Sequence, residues 1–430
     1  MGVKEKIEQR TARVGVIGLG YVGLPLAVEF ARAGFDVTGF DVDRTKVSEL
    51  AAGRSYIGDV KTEDVAALVN AGKLHATTDM SKLREMDVID ICVPTPLRKT
   101  KDPDMSFVVA AAERIAENIH PGMLIVLEST TYPGTTAEVL QPMFEAKGLT
   151  VGKDFFLAFS PERVDPANEK FNTRNTPKVI GGTTPACSEV AAALYGTAID
   201  TVVPVTSTQV AEMVKLLENT FRAVNIGLVN EIALMCHRMN INVWEVIEAA
   251  ATKPFGFMPF FPGPGLGGHC IPIDPFYLSW KARQSGFECR FIELAGQVNG
   301  SMPSFVVERI GEALNTAKKS INGSRIHLFG VAYKKDVNDM RESPALDVLE
   351  LLERRGAELS YTDPYVPTLE HGHLSLKSVP ECEAGAGIDC AVICTNHGVF
   401  NYAAMPGRFP LIVDTRNALK GVTAENVFRL

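Results

Sequence analysis

The feature that most constrains the fold is a glycine-rich turn near the N-terminus. Residues 13–19 form a short apolar run typical of a strand, and residues 18–23 read G-x-G-x-x-G. A helical pattern then runs to Gly34, and a second strand-like segment ends at Asp41. A strand, a tight turn, a helix and a second strand in this order predict a parallel, right-handed unit.

The same turn predicts a dinucleotide site. Its glycines permit the tight turn, the close approach of a pyrophosphate and close packing of the helix on the strand. The free N–H groups at the helix N-terminus attract phosphate. A carboxylate at Asp41 would bind both ribose hydroxyls and repel a 2′-phosphate, which favours NAD over NADP. The alternative is a turn that only packs a helix. We expect NAD to contact Gly18, Gly20, Tyr21, Val22, Gly23 and Asp41.

The length of 430 residues predicts two to four domains. Strand-like runs at 87–93, 123–128 and 155–159 alternate with helical stretches, so residues 1–206 predict a doubly wound α/β domain. From Thr208, apolar residues recur every three or four positions. This spacing predicts an amphipathic helix of about 28 residues within a mainly helical segment, 207–310. A helix this long typically links domains or packs against a partner subunit.

Residues 311–430 repeat the opening order. A strand at 324–331 precedes a helix with Ser343 as N-cap and Pro344 as its first residue, and a second strand runs to Asp363. The glycine turn is replaced by a loop that carries Lys334, Lys335 and Arg341. We interpret this segment as a second α/β nucleotide domain with different phosphate chemistry.

Composition excludes several classes of protein. A net charge of −8 argues against nucleic acid as the main partner. No apolar run reaches the length of about 18 residues that a membrane span needs, and the polar N-terminus does not resemble a signal peptide. The eight scattered cysteines contain no C-x-x-C pair and fit reduced thiols in a cytoplasmic protein. No metal site is predicted.

Cys270 is the cysteine with the most unusual setting. Residues 262–275 read PGPGLGGHCIPIDP, and such a loop lets backbone amides and a bulky polar ligand come close. Asp274 and Pro275 predict an N-cap and the first residue of a helix, where a nearby thiolate is favoured. We predict that Cys270 is a nucleophile and not a buried spectator. Asp274 has the alternative of plain helix capping, and a role for His269 as base is disfavoured because adjacent side chains in extended backbone point apart.

Two further pairs carry polar chemistry. Lys215 and Asn219 are four residues apart and share one helix face, where they can donate to an alkoxide or oxyanion. A solvated helix face is the alternative. Thr130 and Glu162 follow predicted strands, at the edge where open α/β sheets bind ligands. They can position or deprotonate a water, unless their roles are only those of turn residues.

These motifs together resemble the UDP-sugar 6-dehydrogenase family along almost the whole chain. The resemblance rests on GLGYVGLPLA, CVPTP, EST, SPER, K-x-x-x-N, GPGLGGHCIPIDP and GVAYKKDVNDMRESP. It implies an N-terminal Rossmann domain that binds NAD, a central helical segment that forms a homodimer or higher homo-oligomer, and a C-terminal Rossmann-like domain that binds UDP. It also implies a four-electron oxidation of a C6 alcohol to the acid, with two NAD reduced per UDP-sugar.

The family's residue roles transfer to matching positions. Lys215, Asn219 and Asp274 would handle the proton and the oxyanion, Cys270 would form a thiohemiacetal and then a thioester, and Thr130, Glu162 and Asp274 would hold the hydrolytic water. The resemblance adds Arg44, Thr95, Thr130 and Arg341 to the expected NAD contacts. Its expected substrate contacts are Glu162, Arg163, Lys215, Asn219, Gly267 and Lys334.

Two positions, Pro166 and Lys253-Pro254, depart from the UDP-glucose enzymes, so the roles of the glutamate and arginine found there do not transfer. The segments KPFGF at 253–257 and GHCIPIDP at 268–275 instead resemble the N-acetylhexosamine branch, most like UDP-N-acetylglucosamine 6-dehydrogenases that serve surface polysaccharide synthesis. UDP-N-acetylmannosamine, UDP-N-acetylgalactosamine and UDP-glucose are alternative substrates.

Other classes of protein are also possible on the sequence. A two-electron β-hydroxyacid dehydrogenase would leave Cys270 and residues 322–430 without a purpose. A non-catalytic NAD-binding regulator would not explain the polar residues. The pair Tyr277 and Lys281 reads Y-x-x-x-K, as in epimerases, but more simply marks one helix face.

Overall fold

The computed structural model describes residues 2–98, 102–165, 168, 170–268, 270–385 and 387–430. The chain forms two compact units. The first contains Met1–Glu218 and Phe276–Gly286, and the second contains Asn219–Pro275 and Phe287–Leu430. The long helix α8 (Thr208–Arg238) begins in the first unit and ends in the second.

The first unit alternates helices and strands. Its elements are α1 (Val3–Glu8), β1 (Arg13–Ile17), α2 (Gly23–Arg32), β2 (Asp36–Phe40), α3 (Arg44–Ala51), α4 (Thr62–Asn70), β3 (Leu74–Thr77), β4 (Val88–Ile91), α5 (Ser106–Asn118), β5 (Leu124–Leu127), α6 (Gln141–Glu145), β6 (Phe156–Phe159), β7 (Lys178–Gly182), α7 (Pro185–Tyr195) and β8 (Val202–Val205). A 3-10 helix spans Met80–Glu85, and a π-helix spans Thr136–Leu140.

These strands form one sheet in the order β3-β2-β1-β4-β5-β6-β7-β8. All neighbours are parallel except β6 and β7, which are antiparallel. Alternate residues of β5 enter different apolar clusters: Leu124 and Val126 join one, and Ile125 and Leu127 join the other. The sheet is therefore covered on both faces, as the near-continuous apolar runs of its strands require.

The second unit combines helices with a smaller sheet. Its remaining elements are α9 (Val243–Ala250), α10 (Asp274–Gln284, which starts here and continues in the first unit), α11 (Arg290–Thr316), β9 (Arg325–Phe329), α12 (Pro344–Arg354), β10 (Glu358–Thr362), β11 (Thr368–His371), β12 (Leu374–Lys377), β13 (Cys390–Ile393), α13 (Met405–Arg408), β14 (Ile412–Asp414) and β15 (Val427–Arg429). The main sheet is parallel, in the order β10-β9-β13-β14-β15, and β11 pairs with β12 as an antiparallel hairpin.

The predicted fold class is confirmed in both α/β regions, and the amphipathic stripe predicted from Thr208 forms α8, which has 31 residues. Ser343 is the N-cap residue of α12, although its side chain makes no capping hydrogen bond among the described residues. The expected start of the helix after Cys270 was wrong by one residue, because α10 begins at Asp274 itself. The predicted boundary at 310 falls inside α11. In the described part of the chain, no helix is both long and apolar enough to span a membrane.

Candidate active site

Two glycines of the N-terminal turn are required by the protein's own packing. Gly18 has a φ of +93°, and its N–H donates to the carbonyl of Phe40 at 2.8 Å. A Cβ on Gly18 would lie 2.6 Å from the carbonyl oxygen of Cys92, and one on Gly23 would overlap the carbonyl of Gly18. These positions therefore exclude any side chain, as close packing of the turn on the sheet requires.

Gly20 differs from the other two glycines. A Cβ added there would meet no protein atom within 4 Å. Because packing does not require this glycine, its small size leaves room for a ligand beside the backbone. The helix that follows, α2, has no side-chain cap among the described residues. A bare helix N-terminus beside an open glycine fits the pyrophosphate of a dinucleotide.

Asp41 follows β2 and lies beside the turn. Its carboxylate accepts from the N–H of Leu19 at 2.8 Å, from the N–H of Asp43 at 2.9 Å and from Nζ of Lys46 at 3.3 Å. A carboxylate has about four acceptor positions, so these three donors still leave capacity for a ribose hydroxyl. The Lys46 contact was not predicted, because a lysine on the next helix gives no distinct sequence signal.

The remaining predicted cofactor residues lie in different settings. Arg44 is the exposed first residue of α3, and the half-buried Thr130 follows β5. Thr95 is buried, and its carbonyl accepts from the hydroxyl of Tyr277 at 2.9 Å. Arg341 belongs to the second unit, where Asp339 holds its guanidinium at 2.6 Å.

Lys215 and Asn219 are both buried, so the alternative of a solvated helix face is wrong. Nζ of Lys215 donates to the backbone carbonyl of Glu162 at 2.7 Å. The ammonium is thereby fixed at the end of β6, the sheet edge at which the sequence predicts a ligand. Glu212, on the same helix, is also buried and accepts from the N–H groups of Gly134 and Thr136 at 2.6 and 2.9 Å.

The Glu162 carboxylate is held by backbone and cations. One oxygen accepts from the N–H groups of Arg163 and Val164, each at 2.7 Å, and the other lies 3.5 Å from Nζ of Lys178. Burial alone would raise the pKa of Glu162. The charges of Lys178 and Lys215, together with the two N–H donors, lower the pKa below its usual value. Glu162 is therefore a carboxylate at neutral pH.

Sequence reasoning missed a buried charged cluster beside Glu162. Nζ of Lys178 donates to Glu128 at 2.6 Å, and the hydroxyl of Tyr195 lies between Glu128 and Asp90. All four side chains are at most 4% exposed. The EST motif contains Glu128, but nothing in the local pattern around Lys178 marks it as its partner.

In the second unit, Asp274 is bound to the long helix. Nδ2 of Asn219 donates to Oδ2 of Asp274 at 2.5 Å, and both residues are buried. The N–H of Asp274 donates to the carbonyl of Cys270 at 2.8 Å. Cys270 is therefore fixed one turn before Asp274. The pairing with Asn219 shows that helix capping is not the sole role of Asp274.

The glycines before Cys270 were expected to leave room for a ligand, but the structure shows that they leave room for protein side chains. A Cβ on Gly267 would lie 2.8 Å from Cβ of Tyr333 and 3.0 Å from Cδ of Pro344, and one on Gly268 would lie 2.7 Å from the Tyr333 ring. The N–H of Gly268 donates to the carbonyl of Arg341 at 3.2 Å. Close packing on the loop before α12 thus requires these glycines. Their contact with a ligand stays a prediction.

Other predicted residues have additional protein contacts. Arg163 forms an ion pair with Glu218 at 2.5 Å and donates to the carbonyl of Pro177 at 2.6 Å. Lys334 is half-buried in the loop before α12. His269 and Pro166 lie outside the described residues.

The Y-x-x-x-K pair has structural roles. Tyr277 is fully buried and donates to the carbonyls of Thr95 and Pro96. Lys281 forms an ion pair with Glu138 at 2.6 Å and lies over the ring of Tyr132. These contacts favour the simpler interpretation of the motif over an epimerase couple.

The second unit also contains a cavity of about 310 Å³ that sequence reasoning did not find. It is lined by Trp244, Glu248, Phe261, Pro262, Asn396, Arg416 and Asn417. The rings of Trp244 and Phe261 stack with 15° between their planes. Nε1 of Trp244 is buried and has no hydrogen-bond partner among the described residues. Aromatic faces, amides and a guanidinium suit a planar, polar ligand.

Comparison with known proteins identifies the family. Three domain models of the UDP-glucose/GDP-mannose dehydrogenase family match: the NAD binding domain at 12–199, the central domain at 209–301 and the UDP binding domain at 327–421. The chain belongs to this family. The predicted family, its NAD dependence and its activity on UDP-sugars are therefore confirmed.

Several relatives are similar over most of their length. A UDP-N-acetyl-D-mannosamine dehydrogenase of Pyrococcus horikoshii is 36% identical over 97% of this chain and 98% of its own. A UDP-N-acetyl-D-glucosamine 6-dehydrogenase of Pseudomonas aeruginosa is 36% identical over 84% and 85%. The solved structure of the UDP-D-ManNAc dehydrogenase from Pyrococcus horikoshii aligns with a TM-score of 0.89 at 34% identity, covering 97% of this chain and 98% of that one.

Proposed function

We propose that this protein oxidises the C6 alcohol of UDP-N-acetylglucosamine to the uronic acid, with Cys270 as covalent catalyst. The product would be a precursor for surface polysaccharide. The observation that carries the proposal is the buried Asn219–Asp274 hydrogen bond of 2.5 Å, one helical turn after Cys270. It ties a nucleophile, a carboxylate and an amide donor into one rigid arrangement, as covalent catalysis requires.

The residues of the first unit that would hold NAD are the turn at 18–23 and Asp41, whose geometry fits the cofactor. When bound, NAD accepts one hydride in each of the two oxidations. In the first oxidation, Lys215 and Asn219 donate hydrogen bonds to the C6 oxygen. Asp274 orients the amide of Asn219 and, through an ordered water, accepts the proton of the alcohol as the hydride leaves C6. The product of this step is an aldehyde.

An aldehyde has a hydride to give only after a nucleophile makes its carbon tetrahedral. The thiolate of Cys270 supplies that nucleophile and forms a thiohemiacetal, whose oxidation leaves a thioester on Sγ. Water then attacks the thioester carbon, and Cys270 leaves as a thiolate. We assign Thr130, Glu162 and Asp274 to hold and deprotonate this water. The ionised state of Glu162 supports its part in that role.

The UDP end of the substrate would lie in the second unit. The cavity lined by Trp244, Phe261 and Arg416 offers the exposed ring of Phe261 as an aromatic surface for a base and a guanidinium for a phosphate or ribose oxygen. Part of its lining falls within the matched UDP binding domain, 327–421. Lys334, in the same domain, is a second candidate cation for the diphosphate.

The proposed sugar is based on the names of similar proteins. Proteins named for UDP-N-acetylglucosamine and for UDP-N-acetylmannosamine are both 36% identical to this chain. A structure named for an NDP-N-acetyl-D-galactosaminuronic acid dehydrogenase, from Methanosarcina mazei, aligns with a TM-score of 0.82 at 30% identity. Support is therefore for the N-acetylhexosamine branch, with the C2 and C4 epimers as the competing substrates.

The stoichiometry of the reaction tests this function. We expect two NADH per molecule of UDP-N-acetylglucosamine consumed, and formation of the acid. A ratio of one would overturn the covalent mechanism. A panel of UDP-N-acetylmannosamine, UDP-N-acetylgalactosamine and UDP-glucose, ranked by kcat/KM, would identify the preferred sugar.

A second test addresses the thiol. In Cys270→Ala we expect acid formation to fall by about 10⁴-fold or more, the scale seen when a covalent nucleophile is removed. NAD affinity and the unfolding midpoint should be unchanged. Cys289→Ala, at another half-buried cysteine, is the matched control. Normal acid formation by the Cys270 variant would refute the role of the thiol.

We also propose a homodimer. The second unit exposes large apolar side chains on α8, on the segment after α9 and at the start of α11: Phe221, Leu228, Met235, Phe255, Phe257, Met258, Phe287, Phe291 and Leu294. Exposed apolar surface of this extent typically marks a protein interface. Sedimentation of wild type and of a Phe221→Asp, Leu228→Asp variant would test the interface; a wild-type monomer would contradict the proposal.

A further inference from the structure

Lys178 bridges two carboxylates at the edge of the first sheet. Its Nζ lies 2.6 Å from Oε2 of Glu128 and 3.5 Å from Oε2 of Glu162. Lys178 is 4% exposed and Glu128 is 1% exposed. The interaction is therefore little screened by solvent, and each charge depends on the others for compensation.

The reversal of one strand explains why a lysine is found there. Glu128 directly follows β5, and Glu162 lies three residues after the end of β6, so both are at the carboxyl edge of parallel strands. β7 is antiparallel to β6, and Lys178 is its first residue. The amino end of β7 thus meets the carboxyl end of β6, next to that of β5, and brings a cation to the edge where ligands bind.

The cluster extends behind Glu128. The hydroxyl of Tyr195 contacts Glu128 and lies 2.7 Å from Asp90. One hydroxyl proton can serve only one of two carboxylates, so a second proton is required. Burial, together with the charge of Glu128, raises the pKa of Asp90 to about 8. A neutral Asp90 supplies that proton, and the ammonium of Lys178 then faces two carboxylates, Glu128 and Glu162.

We propose that Lys178 is a positioning residue for thioester hydrolysis, holding Glu162 as the carboxylate that takes the proton from the attacking water. This inference rests on the proposed function. In the step, the water oxygen bonds to the thioester carbon, and the carbon–sulfur bond breaks with its electron pair on Sγ of Cys270. Glu162 accepts the proton that the water releases.

The groups around Glu162 determine how the step depends on pH. Lys178 approaches from β7 and Lys215 from α8, and both favour the charged form of Glu162. The charge of Glu128, after β5, opposes them, and the thiol of Cys92, after β4, is neutral because burial raises its pKa. Arg163 is paired with Glu218 of α8. Without Lys178, burial and Glu128 would raise the pKa of Glu162.

The test measures hydrolysis separately from oxidation. Enzyme, NAD and UDP-N-acetylglucosamine are mixed between pH 4 and pH 9 and quenched. Mass spectrometry then follows the sugar adduct on Cys270, and absorbance follows NADH. In Lys178→Met we expect the adduct to accumulate, and the acidic limb of hydrolysis to rise by about one pH unit or more. The first NADH should form at the wild-type rate, which a general loss of structure would not permit.

Three variants control for folding and charge. Lys178→Arg keeps the cation and should restore the wild-type profile. Glu128→Gln keeps the Lys178–Glu162 pair and should also keep the profile. The double variant Glu128→Gln, Lys178→Met removes one charge of each sign, so it can fold where the single variant does not. It should accumulate the adduct as Lys178→Met does, with a smaller rise of the acidic limb because the charge of Glu128 is also gone.

Two results would overturn the inference. One is a folded Lys178→Met or double variant with wild-type hydrolysis and no adduct. The other needs only the wild type: an acidic limb of hydrolysis above about pH 6 would contradict the inference, since the pKa of Glu162 is below its usual value of about 4.3. A wild type that forms one NADH per sugar and no adduct would instead refute the proposed function.

Discussion

The two α/β regions begin with the same geometry. Gly18 and Gly330 each follow a first strand with positive φ, of +93° and +78°. Each N–H donates to the last residue of the second strand, at 2.8 and 2.9 Å. In each region the following N–H donates at 2.8 Å to the aspartate after the second strand: Leu19 donates to Asp41, and Val331 donates to Asp363.

The two aspartates differ in what else they bind. Asp363 also accepts from the N–H groups of Ala332 and Tyr365 at 3.0 and 2.9 Å, and from Nε2 of His397 at 3.0 Å. With Val331 these make four donors from the protein itself, three on Oδ2 and one on Oδ1. Asp41 accepts from three donors. The same residue in the same place thus organises a loop in one region, while in the other we expect it to bind a ribose as well.

The largest expected effect is the loss of stability when Asp363, the aspartate that organises a loop, is replaced. Asp363→Ala leaves several buried donors without an acceptor, so unfolding free energy should fall by about 3 kcal/mol or more. Although burial would raise the pKa of Asp363, hydrogen bonds from His397, Ala332 and Val331 lower it. A lowered pKa means that the stabilisation is present above about pH 4 and is lost below it.

Denaturant titrations of wild type and Asp363→Asn at several pH values would check this sign. The difference between them should be largest at neutral pH and should shrink as the pH falls below about 4. A constant difference would show that the charge of Asp363 is not what stabilises the loop.

An intermediate effect is expected at Asp41. In Asp41→Ala, NAD binding should weaken by about 1–3 kcal/mol, the scale of lost charged hydrogen bonds. Calorimetry with NAD measures this, and the affinity for UDP in the same variant is the control. Unchanged NAD affinity would contradict the assignment of Asp41 to the ribose and would mean that both aspartates only organise their loops.

The smallest effect is expected at Gly20. Gly20→Ala adds a methyl group that meets no protein atom, so stability should change by no more than about 0.5 kcal/mol. NAD affinity should nevertheless fall by about tenfold, because the methyl group occupies space beside the pyrophosphate. Gly58→Ala, also in open space, is the matched control. Equal NAD affinity in both variants would contradict the placement of the pyrophosphate.

The sequence was sufficient for features that depend on local patterns. Apolar runs predicted β1, β2, β4, β5 and β6, and three- and four-residue spacing predicted α8. The four-residue spacing of Lys215 and Asn219 places them on one helix face, but it could not predict that this face is buried, because burial depends on segments far along the chain.

Strand direction and loop packing could not be predicted. Residues 178–182 form a short apolar run whose pattern is the same in a parallel or an antiparallel strand, so the position of Lys178 beside Glu128 was hidden. Gly267 and Gly268 were expected to admit a ligand. Their contact with Tyr333 depends on residues far along the chain, which no local pattern reports.

The packing of the glycine loop has a consequence for how the protein matures. Gly265, Gly267 and Gly268 pack closely against residues 333 and 342–344, which leave the ribosome later than Cys270 does. During synthesis, Cys270 therefore belongs to an unfinished loop until the C-terminal strands and α12 have formed. A chain that stops before residue 333 can complete the N-terminal sheet and still lack the backbone support that aims its reactive thiol.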